Sequence, residues 1–205
     1  ADTFAYWVYA LSPTWYIVPD VLEDADATID RFFDFTKQYP DLPGKRIGVV
    51  QGKNYDDFVR CYKAIAPYCD KIGISFDCSW YVECAKSSTK WLQLATGRLK
   101  TLLQMDEQRV IDRCKPHHLL GVAVPQELTC YGAFQRGGEF LWIDSVDTSN
   151  PVVHGLAGIS YGPSGLKDKE TRKLYTMINE QVSDEQWQVI RSNIQGFRRF
   201  CNGVE

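Results

Sequence analysis

The segment Ile47-Gly48-Val49-Val50-Gln51-Gly52 is a short apolar run that stops at a primary amide and a glycine. A run apolar at most positions fits a strand of a parallel sheet, which crossover helices bury on both faces. Such sheets restrict the chain to α/β architectures, and in barrels of this class the chemistry sits where strands end at their carboxyl termini. Gln51 would stand at that end. Its side chain offers both a donor and an acceptor, which suits the edge of a planar base, and Gly52 allows close approach of backbone. An ordinary turn after a strand would read the same way, so this run alone does not decide function.

The remainder of the chain alternates in the same manner. Phe4–Leu11, Tyr16–Pro19, Ile47–Val50, Lys71–Phe76, His118–Val124 and Phe140–Ile143 read as strands. Asp26–Gln38, Tyr55–Ala66, Lys86–Leu103 and Asp106–Cys114 carry apolar residues at helical spacing. Ser183-Asp184-Glu185-Gln186 has the form of a capping box and precedes a face formed by Trp187, Ile190, Ile194, Phe197 and Cys201. This alternation predicts an α/β fold, a (β/α)8 TIM-type barrel, with residues 1–205 as a single domain. Only about six β/α units can be counted where a closed barrel needs eight. The expectation is therefore a barrel that is incomplete, rearranged or truncated at its N-terminus. Ser160–Lys169 is the expected mobile loop.

Composition narrows the class further. With 44% hydrophobic residues among 205, including six Trp, eleven Tyr and ten Phe, the chain can bury a sizeable core. A net charge of -3 advertises no general attraction to phosphate backbones, so any nucleic-acid contact must be a local patch. Lys167, Lys169, Arg172 and Lys173 form one such patch and Arg191, Arg198 and Arg199 another, although charge runs are commonly solvated faces. The seven cysteines are an odd number with no Cys-x-x-Cys pair, which reads as reduced thiols in a cytoplasm. No apolar run reaches membrane-spanning length.

Acids recur beside the strand ends: Asp2, Asp20, Asp77 and Asp144. One Asp after a strand usually caps a helix or forms a turn. Two carboxylates at one rim can divide a glycosyl transfer, one attacking the anomeric carbon while the other moves a proton on the leaving group.

Four segments, in order, carry a resemblance: Ile47–Phe58, Cys69–Ser75, Lys115–Leu128 and Phe140–Val146. In content and order they resemble the tRNA-guanine transglycosylases, and Asp2-Thr3-Phe4-Ala5-Tyr6 is similar to that family's Asp-Ser-Gly-Gly-aromatic segment, with Phe4 and Ala5 in place of both glycines. The resemblance implies a pentosyltransferase on a (β/α) barrel that replaces guanine in a polynucleotide with a 7-deazaguanine through a covalent glycosyl-aspartate. It implies Asp144 as nucleophile, Asp2 as general acid/base, Asp20 and Gln51 on the purine edge with Gly52 beside them, Gly73 as backbone contact, and Tyr6 and Leu120 sandwiching the base. His154, in the loop after Asp144, is a further candidate for substrate contact, and His117 and His118 are expected to be packing or surface residues.

The departures imply a branch. Asp147–Gly155 lacks the Arg-bearing phosphate segment of the tRNA enzymes, and downstream of Asp144 only His154 and Cys201 could ligate zinc, too few for a four-coordinate site. The chain is most similar to the short, zinc-less, phage-type branch associated with DNA. The expectations are thus no metal and no cofactor, DNA favoured over tRNA as partner, and a Lys167–Lys173 phosphate contact, with a partner protein or homo-oligomer open. An enzyme on free nucleosides and a non-catalytic purine-binding subunit are the alternatives.

Overall fold

Capping side chains set where the helices begin, and apolar spacing sets which side they bury. The computed structural model describes residues 2–167, 169–172 and 174–202. It begins with helix α1 (Asp2–Leu11), strand β1 (Trp15–Ile17), α2 (Ala25–Gln38), β2 (Lys45–Val50), α3 (Tyr55–Ile65) and β3 (Lys71–Ile74). It continues with α4 (Tyr81–Cys84), α5 (Lys90–Glu107), β4 (His117–Leu119), α6 (Glu127–Arg136), β5 (Ile143–Val146), α7 (Asn150–Leu156) and α8 (Asp184–Asn202). Asp24 accepts from the Ala27 amide at 3.0 Å, Asn54 from Asp57 at 2.9 Å and Thr89 from Leu92 at 3.3 Å, each satisfying an otherwise orphaned helix donor. The capping box at Ser183 forms as expected: its hydroxyl accepts from the Gln186 amide, and its own amide donates to the Gln186 side chain at 2.9 Å.

The five strands make one parallel sheet in chain order, β1-β2-β3-β4-β5. The fold is α/β, with β1 and β5 at the two edges of the sheet. Register divides each strand between two faces. On one lie Gly48, Val50, Ile72, Ile74, His117 and Leu119, and a side chain added at Gly48 would meet Phe32, Ile65 and Cys69. This is the helix-covered face, and Val50, Ile72, Ile74 and Leu119 belong to the main apolar core with Phe32, Phe58, Tyr62 and Leu102. The opposite, inner face carries Ile17, Ile47, Val49, Lys71, Gly73 and His118. A smaller cluster of Val153, Leu156, Met177 and Ile190 joins α7 to α8.

Three element assignments change. Phe4–Leu11 is helical, part of α1, which buries Ala5 and Val8 on one side and seats Phe4 5.8 Å from Phe35. Its aromatic content suggested a strand, but the burial repeats every three residues and not every two. Asp106–Cys114 is not a separate helix: α5 runs to Glu107, and the chain turns at Arg109, whose φ of 57° no helix continues. The last strand is Ile143–Val146, three residues beyond the expected Phe140 start. Phe140 has φ 53° and packs against Tyr131 and Trp142, so the apolarity of this stretch serves the core and not the sheet.

Candidate active site

Because all strands are parallel, their carboxyl ends share one edge of the sheet. Val50 pairs with Ile74, Ile74 with Leu119 and Leu119 with Val146 in a single row. The next residues, Gln51, Ser75, Leu120 and Asp147, therefore leave the sheet side by side, and alternation aims them all to the inner face.

Asp20 and Gln51 meet at one end of this rim. The Gln51 amide donates to Asp20 Oδ2 at 2.6 Å, and its oxygen accepts from the Glu23 amide at 3.1 Å, which fixes which end of the side chain is which. Glu23 is itself held by a hydrogen bond from the Ser79 amide. Gly52 follows at a point where a side chain would meet the Phe58 backbone at 2.5 Å, and its carbonyl accepts from the Trp80 indole at 3.0 Å. Gly73 lies in mid-strand on the inner face, floored by Ile47 and Val49, with the Leu120 methyl 3.1 Å from where a Cβ would stand. Asp20, Gln51, Gly73 and Leu120 thus lie on or just below one rim.

At the other end of the rim a β-bulge decides what faces inward. Between β4 and β5 the register runs His117 to Ile143 but His118 to Ser145, leaving Asp144 as the extra residue. In a regular strand Ser145 and Asp147 would share the face of Ile143, toward the core; the bulge turns both to the inner face. Asp147 Oδ1 accepts from the Gly121 amide at 3.0 Å and lies 3.1 Å from His118 Nε2. Burial works to raise the Asp147 carboxyl, but the hydrogen bonds from His118 and Gly121 outweigh it and hold it below the ordinary range. The carboxylate at the end of the last strand is ionised at neutral pH. On its other side the His118 ring reaches Ser145 Oγ at 2.9 Å.

Asp144 is placed differently. It is the second residue of β5 and pairs with Lys71 Nζ at 2.7 Å, while Ser145 donates to its other oxygen at 2.9 Å. Lys71 opens β3 and lies 4.5 Å from the Trp15 ring centre, so this pair belongs to the amino-terminal half of the sheet. Three further candidates are not at the rim. Asp2 bonds to Tyr39 and Gln38 at the C-terminal end of α2, where the chain turns back toward β2 and Pro40 accepts from Arg46. That is the amino end of the strands. Tyr6 is 64% exposed on α1 and contacts Trp7, with no base-binding partner opposite Leu120. His154 is sealed in α7, its Nδ1 donating to the Asn150 carbonyl and its Nε2 accepting from the Glu170 amide at 2.9 Å. Both nitrogens are spent and the ring is buried, so a substrate contact would first have to displace the Glu170 amide.

The basic patch is partly engaged. Lys169 lies 4.4 Å from the Trp91 ring centre, and burial lowers its ammonium below the ordinary value. Arg172 approaches Glu170 at 3.7 Å, Lys167 is exposed, and Lys173 lies outside the described residues. Among the described residues no three His, Cys, Asp or Glu side chains gather to hold a metal, and no helix is long and apolar enough to cross a membrane. Burial pushes the thiols of Cys61, Cys69 and Cys78 up to about 11, which leaves them protonated at neutral pH. One surface hollow lies between α2 and the turn from Pro67 to Asp70 beside Arg46, away from the rim, and another runs along β5 past Asp144 and Val146 beside Tyr131 and Gln135.

Two residues of this arrangement are not site candidates in the sequence: His118 is expected there to be a packing or surface residue, and Asp147 enters only as the start of the segment Asp147–Gly155. His118 was assigned to the start of a long strand, whereas β4 has three residues and places it one step below the rim. Asp147 does lie in loop, one residue past β5; what the sequence does not show is the bulge at Asp144 that turns it to the inner face. Scans against protein-family models and curated proteins return no match for this chain.

Proposed function

We propose that this chain is a guanine-exchanging transglycosylase of the (β/α) barrel type that acts on a polynucleotide, DNA in preference to tRNA, with Asp147 as the nucleophile in place of Asp144. The observation that carries the reading is the ionised Asp147 carboxylate, aimed to the inner face at the same rim as the Asp20–Gln51 pair. Three strand spacings separate β2 from β5, roughly 14 Å along the sheet, a gap that inward-reaching side chains narrow to the size of a nucleoside. Asp20 and Gln51 read the purine edge, and Gly73 with Leu120 supplies a flat apolar floor for an extruded base.

Asp147 attacks C1′ of the target nucleotide as the bond from C1′ to guanine N9 breaks, and the base departs with the electron pair and takes up a proton. A 7-deazaguanine then gives up its N9 proton, attacks the same carbon and releases the carboxylate. Asp2 has no place in this scheme; Asp20, held by Gln51, is the rim carboxylate that can exchange a proton with the purine. The barrel reading draws on strands that run in chain order with helices on one face; the remaining strands would cover the inner face.

Exchange of labelled 7-deazaguanine into single-stranded DNA, duplex DNA, unmodified tRNA and deoxyguanosine tests the reading. A denaturation-resistant protein–DNA adduct that maps to Asp147 is expected. Asp147→Asn should lower exchange by roughly 10³-fold or more, while Asp144→Asn retains it. Normal exchange by Asp147→Asn, or loss only in Asp144→Asn, would sink the assignment. Incorporation confined to tRNA or to the free nucleoside would move the protein to those substrates.

A further inference from the structure

We propose that His118 is a positioning residue that holds one oxygen of Asp147 and leaves the other free to react; the inference rests on the reading of Asp147 as nucleophile. A carboxylate can only accept, so the 3.1 Å contact with Asp147 Oδ1 requires a hydrogen on His118 Nε2. The Gly121 amide donates to the same Oδ1. Two donors therefore converge on one oxygen, and Oδ2 accepts no hydrogen bond among the described residues. A carboxylate tethered through one oxygen presents the other in a fixed direction, the geometry a nucleophile needs.

The second ring nitrogen sets the aim. Nδ1 faces Ser145 Oγ at 2.9 Å, and a hydroxyl can donate to a bare nitrogen or accept from a protonated one. The ring thus keeps its Nε2 hydrogen on Asp147 in either protonation state. Ser145 is fixed in turn by Lys71, whose ammonium donates to its Oγ at 3.1 Å; its one hydrogen goes to His118 Nδ1 when that nitrogen is bare and to Asp144 when the nitrogen donates. Among the described residues, the charged groups linked to the ring are Asp147, just past β5, directly, and Lys71 of β3 and Asp144 of β5 through Ser145, with Arg98 bonded to the Leu120 carbonyl. Asp144, the nucleophile expected from sequence, is in this arrangement the anchor two links back. The His118 side chain is 15% exposed and that of Asp147 57%, so the tether is shielded while the carboxylate it holds meets solvent.

The test pairs a measurement that needs no substrate with one that does. Titration of the Asp147 carboxyl carbon by NMR in the free protein should move up by about one pH unit in His118→Leu, with a smaller rise in Ser145→Ala. In the DNA exchange assay His118→Leu should lose about tenfold to a hundredfold in kcat with KM little changed. His118→Gln, which keeps a donor near the Nε2 position, should recover most of both. An Asp147 titration unmoved in His118→Leu and Ser145→Ala overturns the tether whatever the activity. A shifted titration with undiminished kcat overturns its role in the reaction. Full exchange by Asp147→Asn would instead remove the nucleophile reading, and this inference with it.

Discussion

The helix-covered side of the sheet and its inner face each hold an ion pair that spans two elements, and the two are built differently. Arg98 and Glu127 lie 2.6 Å apart with side chains 0% and 2% exposed, and Arg98 also donates to the Leu120 carbonyl at 2.6 Å, binding the end of β4 to α5 and α6. Burial disfavours the Arg98 charge, but the neighbouring carboxylate outweighs it. Lys71 and Asp144 are as close, at 2.7 Å, yet Asp144 is 42% exposed and meets water. The first pair is structural by its isolation. The second belongs to a polar chain of Lys71, Ser145, His118 and Asp147 that a ligand can reach. Burial, and not distance, separates a pair that holds the fold from one available to chemistry.

Breaking each pair sharpens that contrast. Arg98→Met leaves the Glu127 carboxyl buried without its cation and should cost on the order of 3–5 kcal/mol in denaturant unfolding. Much of this should return in the double variant with Glu127→Leu. A loss below 1 kcal/mol would show that water reaches the pair.

The two adjacent histidines of β4 give the next test, on pH. His117, on the covered face, accepts from the Tyr62 hydroxyl at 2.9 Å and stacks on its ring, and burial lowers its imidazole from the ordinary 6.5 to about 4. The unfolded chain takes up a proton here below about pH 6.5 that the folded chain refuses. Its contribution is therefore complete above pH 6.5 and is lost as pH falls toward 4, a difference of roughly 3 kcal/mol. Unfolding curves between pH 6.5 and 5 should slope less in His117→Gln than in wild type. Equal slopes would mean that the ring already meets solvent.

The smallest effect belongs to the inner face. Lys71→Met removes a cation from a partner that water can solvate, so the stability change should be about 1 kcal/mol or less. A loss as large as that of Arg98→Met would erase the contrast between the faces.

The same division explains what the sequence disclosed. The strands β1 to β3 and helices α2, α3 and α8 were legible because Phe32, Phe58, Tyr62, Ile72 and Ile190 repeat at the spacing of the face they bury, whereas β4 is far shorter than the expected His118–Val124. The positions of Asp20 and Gln51 at strand ends were legible too, since both residues end apolar runs, but their bond to each other was not. Asp147 was not. Phe140, Leu141 and Trp142 imitate a strand but serve packing and a turn, and a bulge leaves no mark in hydrophobic periodicity. Without it, counting along β5 points Asp147 at the core. α1 misled for a related reason: Tyr6, Trp7 and Tyr9 favour strands by propensity, yet tertiary contacts through Ala5 and Val8 decide its form.

The bulge at Asp144 also bears on how the sheet avoids its own kind. β5 is an edge strand, and an edge with free amides and carbonyls invites another chain to extend the sheet. A regular strand of Ile143–Val146 would offer a flat ladder. The extra residue breaks that ladder's spacing and sets a carboxylate within it, so an incoming strand would find its hydrogen bonds out of step and a charge in its path. Deleting Asp144 would restore a regular edge with Ser145 still opposite His118 and Asp147 still turned to the rim, and by the same change would open the sheet to self-association.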